Sequence, residues 1–138
     1  KNNRQLFIRN DIKLAIKINA DGVYISSTNK SLNTIFFDLN KNFKIIGSAH
    51  NLKEFIIKKK QRCSDIFFSR IFKTNYKNKE TFYGLVKFNL IINNYGYNFI
   101  PLGGINSKNF KMLKNVRSEG FALSDQIKKD NYFNKVLY

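Results

Sequence analysis

Short apolar runs, most ending at a small or polar residue, recur along the chain and alternate with stretches of helical spacing. The runs cover residues 5–9 (QLFIR), 22–26 (GVYIS), 43–48 (FKIIGS), 64–69 (SDIFFS), 97–102 (YNFIPL) and 119–124 (EGFALS). They are rich in Ile and Phe and mostly continuous rather than alternating, which is how a strand buried on both faces of a parallel sheet reads. Between them, Asn51-Leu-Lys-Glu54 has the form of a capping box opening a helix over 52–61. Leu52, Phe55 and Ile56 make its inner face, and Lys58, Lys59 and Lys60 form a solvated end where cations suit the helix dipole. Residues 81–93 carry Leu85, Phe88 and Ile92 at helical spacing. Asn106 or Ser107 can cap a helix over 109–117 with Phe110, Leu113 and Val116 inside. Asn10 or Asp11 can cap a short helix through Ile18, and 33–39 follows no single period.

A weak repeat supports this unit. Ala20-Asp21-Gly22-Val23 and Ser118-Glu119-Gly120-Phe121 each lead into a run, and Ser64-Asp65 does so without the glycine. An acidic residue followed by Gly predicts a helix-to-strand turn with Gly in the left-handed region. Strands alternating with helices imply right-handed βαβ units and an α/β fold. Six strands fit an open doubly wound sheet or part of a (β/α)₈ barrel.

Composition narrows the class. At 138 residues and 43% hydrophobic, the chain has the size and apolar content of one folded domain rather than a disordered tail. One Cys and one His exclude an intramolecular disulfide and a structural zinc site. No run approaches the ~18 apolar residues of a membrane span. The opening KNNRQLFIRN goes straight into a short apolar run and does not read as a secretory leader, so a cytoplasmic location is expected. The net charge of +16 points first to nucleic acid. Yet Lys outnumbers Arg 20 to 5, and 20 Asn and 17 Ile accompany a single Pro and no Trp, a bias that A/T-rich codons produce. Recognition of phosphate or bases favours Arg, whose fork binds bidentately.

In either α/β arrangement the chemistry lies at the carboxyl ends of the strands. There the sequence places Arg9-Asn10-Asp11, Ser26-Ser27-Thr28-Asn29, Ser48-Ala49-His50, Ser69-Arg70, Gly103-Gly104-Ile105-Asn106-Ser107 and Ser124-Asp125-Gln126. The backbone at Gly103-Gly104, followed by a helix start, suits an anion.

These pieces, taken in order, resemble the thiamine-phosphate synthases and related thiazole tautomerases, which share a (β/α)₈ barrel. The matching segments are LFIRND…LA, ADGVYI, IIGSAHNLKE, IFKTNYK, PLGGI and EGFALS, covering about residues 5–127. By this resemblance the whole chain, 1–138, is a single partial barrel domain holding about the third to eighth βα units. The chain is then expected to be part of a longer polypeptide or to be completed by a partner, such as a second copy, because an open barrel exposes strand edges.

The resemblance implies a transferase of thiamine biosynthesis. It would join a hydroxymethylpyrimidine diphosphate to a thiazole phosphate and release pyrophosphate, with Mg²⁺, Lys and hydroxyl donors neutralising the leaving group. Carried over residue by residue, Gly103 and Gly104 match the thiazole-phosphate loop, with Ser124 in the next strand-end loop. Lys77 matches the loop lysine on the diphosphate, with Thr74 the hydroxyl beside it. Ser48 and His50 match a Ser-His strand end in a segment one residue shorter than the family's, and Asn10 stands near the pyrophosphate. The metal positions fall on Asp11, after a one-residue slip, and on Asn29 where the family has Asp. A neutral amide is a poorer Mg²⁺ ligand than a carboxylate. Arg70 stands where the tautomerase branch has His, and with Lys73 it can replace metal charge. Lost activity, or metal dependence weakened or absent, therefore belongs to the expectation.

Each site residue also has a plain structural reading. Gly103-Gly104 can be a tight turn, Lys77 part of a solvated cluster with Lys73 and Lys79, and His50, Asn10 and Asp11 parts of helix starts. The serines can be rim fillers, and Cys63 a buried thiol without chemistry. Two functional alternatives stand beside the synthase: a tautomerase-like or catalytically degenerate thiazole-phosphate binder, and a basic nucleic-acid-binding module. The latter needs exposed aromatics among the basic residues, whereas Phe7, Tyr24, Phe67, Phe68, Phe99 and Phe121 fall in the apolar runs and only Tyr76, Tyr83 and Tyr95 are named exceptions.

Overall fold

A computed structural model describes residues 4–74 and 81–123. Five of the six apolar runs form strands: β1 (Phe7–Arg9), β2 (Gly22–Ile25), β3 (Lys44–Ala49), β4 (Asp65–Ser69) and β5 (Asn98–Leu102). The strand order in the sheet follows the chain, β1-β2-β3-β4-β5. The β1–β2 and β2–β3 pairs are parallel, with Ile8 opposite Val23 and Tyr24 opposite Ile46. The sixth run contributes a parallel bridge between Leu102 and Ala122. Among the described residues three α-helices join the set: α1 (Ile12–Lys17), α2 (Leu52–Lys60) and α3 (Gly84–Tyr95). The α/β reading therefore holds.

The chain divides into two compact units, Lys1–Ile66 and Phe67–Tyr138. In the first, Val23, Ile25 and Ile45 are buried on one face of the sheet, with Phe55 of α2 and Ala15 of α1 also in the core. Alternation puts Tyr24, Ile46 and Ser48 on the opposite face. In the second unit Phe68 lies 5.2 Å from Phe99 and 6.1 Å from Phe88, ring centre to ring centre. All three are at most 1% exposed. Fully burying one such ring stabilises by roughly 1.5–3 kcal/mol.

Helices α1 and α2 end alike. After α1, Asn19 (φ 53°) is left-handed; its amide donates to the Ile16 carbonyl, and the amide of Ala20 donates to Ala15. After α2, Arg62 (φ 61°) donates to Lys59 and Cys63 donates to Lys58. This paired closure satisfies carbonyls the helix leaves open. The left-handed residue in the first turn is thus Asn19 and not Gly22. Gly22 is required for a different reason: a Cβ there would stand 2.1 Å from the Lys44 carbonyl oxygen.

Three further expectations change. Phe110–Asn115 is a 3₁₀ turn and no α-helix forms there. Phe110, Leu113 and Val116 are spaced three apart, which lines one face of a three-residue turn but drifts around a 3.6-residue helix. Ile56 is 48% exposed, and the inner stripe of α2 runs instead through Phe55 and Lys58. Lys58 is fully buried and does not belong to a solvated end. In the β2-to-β3 crossover the ambiguous stretch is a 3₁₀ turn, Asn33–Phe36.

Candidate functional site

In the first unit the strand ends bring Asn10, Ser26, Thr28 and Asn29 together. Asn10 follows β1 in the left-handed region (φ 57°), and its amide donates to the Tyr24 carbonyl at 2.8 Å. Its side chain then meets Ser26 twice: Nδ2 donates to Oγ at 3.0 Å, and Oδ1 accepts from the Ser26 amide at 2.9 Å. Asn29 Nδ2 donates to the same Oδ1 at 3.3 Å, and the hydroxyls of Ser26 and Thr28 lie 3.2 Å apart. Asp11 caps α1, its Oδ1 accepting from the Leu14 amide at 2.9 Å. The cap is therefore Asp11 and not Asn10. Asn10, Asp11 and Asn29 line one cleft of about 250 Å³, with Lys13, Ser31 and Thr34.

Ser48 is buried at the end of β3 and accepts from the Tyr24 hydroxyl at 2.9 Å. His50 is exposed, and its amide donates to Glu54 Oε2 at 2.7 Å while Asn51 Oδ1 accepts from the Glu54 amide at 2.9 Å. The capping box of α2 is present, reaching back one residue beyond its cap. The helix-start reading of His50 has this contact behind it.

In the second unit Arg70, Thr74, Gly103 and Gly104 come together. Arg70 donates to the Thr74 hydroxyl at 3.1 Å. Gly103 (φ 92°) and Gly104 (φ 74°) both lie where side chains are disfavoured. A Cβ on Gly103 would stand 2.7 Å from Arg70 Cγ, and one on Gly104 2.4 Å from the Phe72 carbonyl oxygen. The Arg70–Thr74 loop runs along the strand end, with the Phe72 amide donating to the Gly103 carbonyl at 3.1 Å. Beyond the pair, Asn106 and Asn109 close a turn on each other. Asn109 Oδ1 accepts from the Asn106 amide, Asn106 Oδ1 accepts from Lys108 and Asn109, and Asn109 Nδ2 donates to the Gly104 carbonyl. The amides of Asn106, Lys108 and Asn109 are thus engaged within the chain. Lys77 and Ser124 lie outside the described residues.

The donors offered for Mg²⁺ are already partly engaged. Asp11 spends an oxygen on its helix cap, and Asn29 Oδ1 accepts from the Ser31 amide at 2.9 Å. Among the described residues no group of three or more His, Cys, Asp or Glu is placed to hold a metal ion. A hard divalent cation favours carboxylate oxygen, and of this pair only Asp11 carries one.

Three contributors are not marked by the sequence pattern. Tyr24 reads as a core aromatic, but its place between Val23 and Ile25 turns it to the face that carries Ser48. Lys58 and Gln61 hold the loop after β2: Lys58 Nζ donates to the Asn29 carbonyl at 2.6 Å and to Gln61 Oε1 at 2.9 Å. Burial lowers the pKa of the Lys58 ammonium, against the opposing influence of Cys63 and Glu54. The available signal is spacing, since Lys58 stands three residues after Phe55 on the inner face. Cys63 is a buried thiol that burial pushes up to about 12, partly offset by Lys58.

These features define an α/β protein of parallel βαβ units with polar and glycine-rich strand ends. The family model described as thiamine monophosphate synthase matches residues 1–127, and the chain belongs to that family. A thiamine-phosphate synthase of Prochlorococcus marinus is 30% identical over 129 residues, and one of Clostridium tetani is 27% identical over 128. Both alignments take in 92% of this chain, which spans 37% and 61% of those relatives' lengths. The fold is similar to that of thiamine phosphate pyrophosphorylase from Pyrococcus furiosus, with a TM-score of 0.65 at 18% identity, covering 96% of this chain and 68% of that one. The resemblance read from the strand ends is borne out. The tautomerase and nucleic-acid alternatives are not favoured: both curated relatives carry the synthase name, and Phe68 and Phe99 are core residues. Among the described residues no helix is long and apolar enough to cross a membrane.

Proposed function

We propose that the protein acts as a thiamine-phosphate synthase, a transferase that joins a hydroxymethylpyrimidine diphosphate to a thiazole phosphate. The bond from the pyrimidine methylene carbon to the diphosphate oxygen breaks, a bond from that carbon to the thiazole nitrogen forms, and pyrophosphate leaves. The observation that carries this reading is the family match over residues 1–127. The strand ends support it. The bare backbone of Gly103-Gly104, with Arg70 and Thr74 beside it, suits the thiazole phosphate, and Ser124 is assigned to the same group. Asn10 and Ser48 supply neutral hydrogen-bond donors for the pyrophosphate end, together with Lys77 and, less directly, His50. Charge developing on the leaving group falls in this reading to Lys77, aided by Arg70 and Lys73. The architecture is inferred to be the third to eighth βα units of a (β/α)₈ barrel forming one domain over 1–138. A cytoplasmic location goes with phosphorylated substrates, which do not cross membranes unaided.

The test is turnover and binding with the full-length gene product. It should form thiamine phosphate and pyrophosphate from the two substrates and bind thiazole phosphate with or without added Mg²⁺. Absence of thiazole-phosphate binding, together with tight salt-sensitive RNA binding, would overturn the reading.

A further inference from the structure

Lys58 is fully buried, yet among the described residues no carboxylate receives it. Its ammonium ends on the backbone carbonyl of Asn29 at 2.6 Å and on Gln61 Oε1 at 2.9 Å. Gln61, also fully buried, donates from Nε2 to the same Asn29 carbonyl at 3.0 Å and to the Ser31 carbonyl at 2.6 Å. Its own carbonyl accepts from the Thr34 hydroxyl at 2.9 Å. Two side chains at one end of α2 thus grip the loop that leaves β2. Space for this is built into β3: a Cβ on Gly47 would lie 3.0 Å from Lys58 Cδ and 2.8 Å from Cys63 Sγ.

A buried cation is a poor way to gain stability, because an apolar residue of the same length would avoid its desolvation. What the ammonium supplies is direction. It draws the Asn29 carbonyl toward α2, and in a planar trans peptide the following Lys30 amide then points the opposite way. On the same residue, Asn29 Nδ2 donates to Asn10 Oδ1, which also accepts from the Ser26 amide. The contacts run without a break from Lys58 through Asn29 to Asn10 and Ser26.

We infer that Lys58 is a positioning residue for the diphosphate end of the site: with Gln61 it fixes the loop through Asn29, so that Asn10 and Asn29 present their amides to the substrate in one arrangement. This rests on the synthase reading for its kinetic consequence but not for its structural one, and the two are tested separately.

The experiment uses the full-length protein with Lys58→Met, which keeps an unbranched side chain out to Cε and removes the ammonium. The KM for the pyrimidine diphosphate should rise about tenfold or more while that for thiazole phosphate stays within about twofold. In ¹⁵N spectra the side-chain amide signals of Asn10 and Asn29 should move, with the global fold retained by circular dichroism. Unmoved amide signals would overturn the proposal, as would two KM values that change together. If the wild-type protein makes no thiamine phosphate, the functional reading fails and the amide signals alone decide. Should Lys58→Met not fold, Lys58→Gln, a neutral donor of shorter reach, takes its place. A smaller KM split in the same direction is then expected, and its absence overturns the proposal.

Discussion

Asn10 and Ser26 hold each other through two hydrogen bonds, Nδ2 to Oγ at 3.0 Å and the Ser26 amide to Oδ1 at 2.9 Å. They are sixteen residues apart and close the ends of adjacent parallel strands. Asn10 does this from left-handed backbone at φ 57°, which an Asn tolerates better than most residues. Replacement by Ala loses both bonds and leaves a strained backbone. Asn10→Ala should destabilise by about 2–3 kcal/mol. Asn10→Gly relaxes the backbone and should cost about 1 kcal/mol less. Urea denaturation of the two variants separates these contributions; equal losses would show that the backbone carries no strain.

The capping box of α2 gives a second measurement. Asn51 Oδ1 accepts from the Glu54 amide, so Asn51→Ala should cost about 1 kcal/mol and Asn51→Asp only a few tenths. Thermal melts of the pair would expose an error, since equal losses would mean that the cap contributes through packing.

Glycines 104 and 120 should respond very differently to the same change. A methyl on Gly104 meets the Phe72 carbonyl in a left-handed backbone, whereas nothing lies within 4 Å of one on Gly120. Gly104→Ala should destabilise by on the order of 3 kcal/mol or more, and Gly120→Ala should stay within about 0.5 kcal/mol. Because the Gly104 Cβ direction runs into protein carbonyls, a larger residue there would break the loop rather than fill an anion site. Chemical denaturation together with thiazole-phosphate titration distinguishes the two effects.

Cys63 makes the chain sensitive to alkali. Burial raises its thiol to about 12 in the folded state from an ordinary value of 9.0. Below pH 9 the thiol is protonated whether folded or not, and it neither adds nor removes pH dependence. Between pH 9 and 12 the unfolded chain releases this proton more readily, so stability falls as pH rises. Relative to Cys63→Ala, the wild type should lose stability across that window and match its slope below it. Iodoacetamide should modify Cys63 at pH 8 only at the rate of unfolding, and rapid labelling of the folded protein would contradict the assignment.

Much of this is legible in the sequence, for identifiable reasons. Continuous apolar runs mark β1 to β5 because a parallel strand buried on both faces has no polar alternation to show. The cap at Asn51 was visible because a side-chain cap is local chemistry. Lys58 defeats a reading by composition because runs of lysine signal solvent, while its place three residues after Phe55 is a fact of geometry. Gly22 was assigned to a turn, although its cause is a carbonyl on Lys44, twenty-two residues away and invisible to any local rule. At the site, the proximity of Asn10 and Asn29 follows from neighbouring strand ends, but their direct bond depends on a loop conformation set by α2.

The three-residue spacing of Phe110, Leu113 and Val116 has a consequence for how this segment can change. One residue inserted between Leu113 and Val116 would turn a 3-3 interval into 3-4, the interval of an amphipathic α-helix. The turn after the glycine pair therefore stands a single codon from a longer helix, and growth of this corner calls for an insertion rather than for a new apolar pattern.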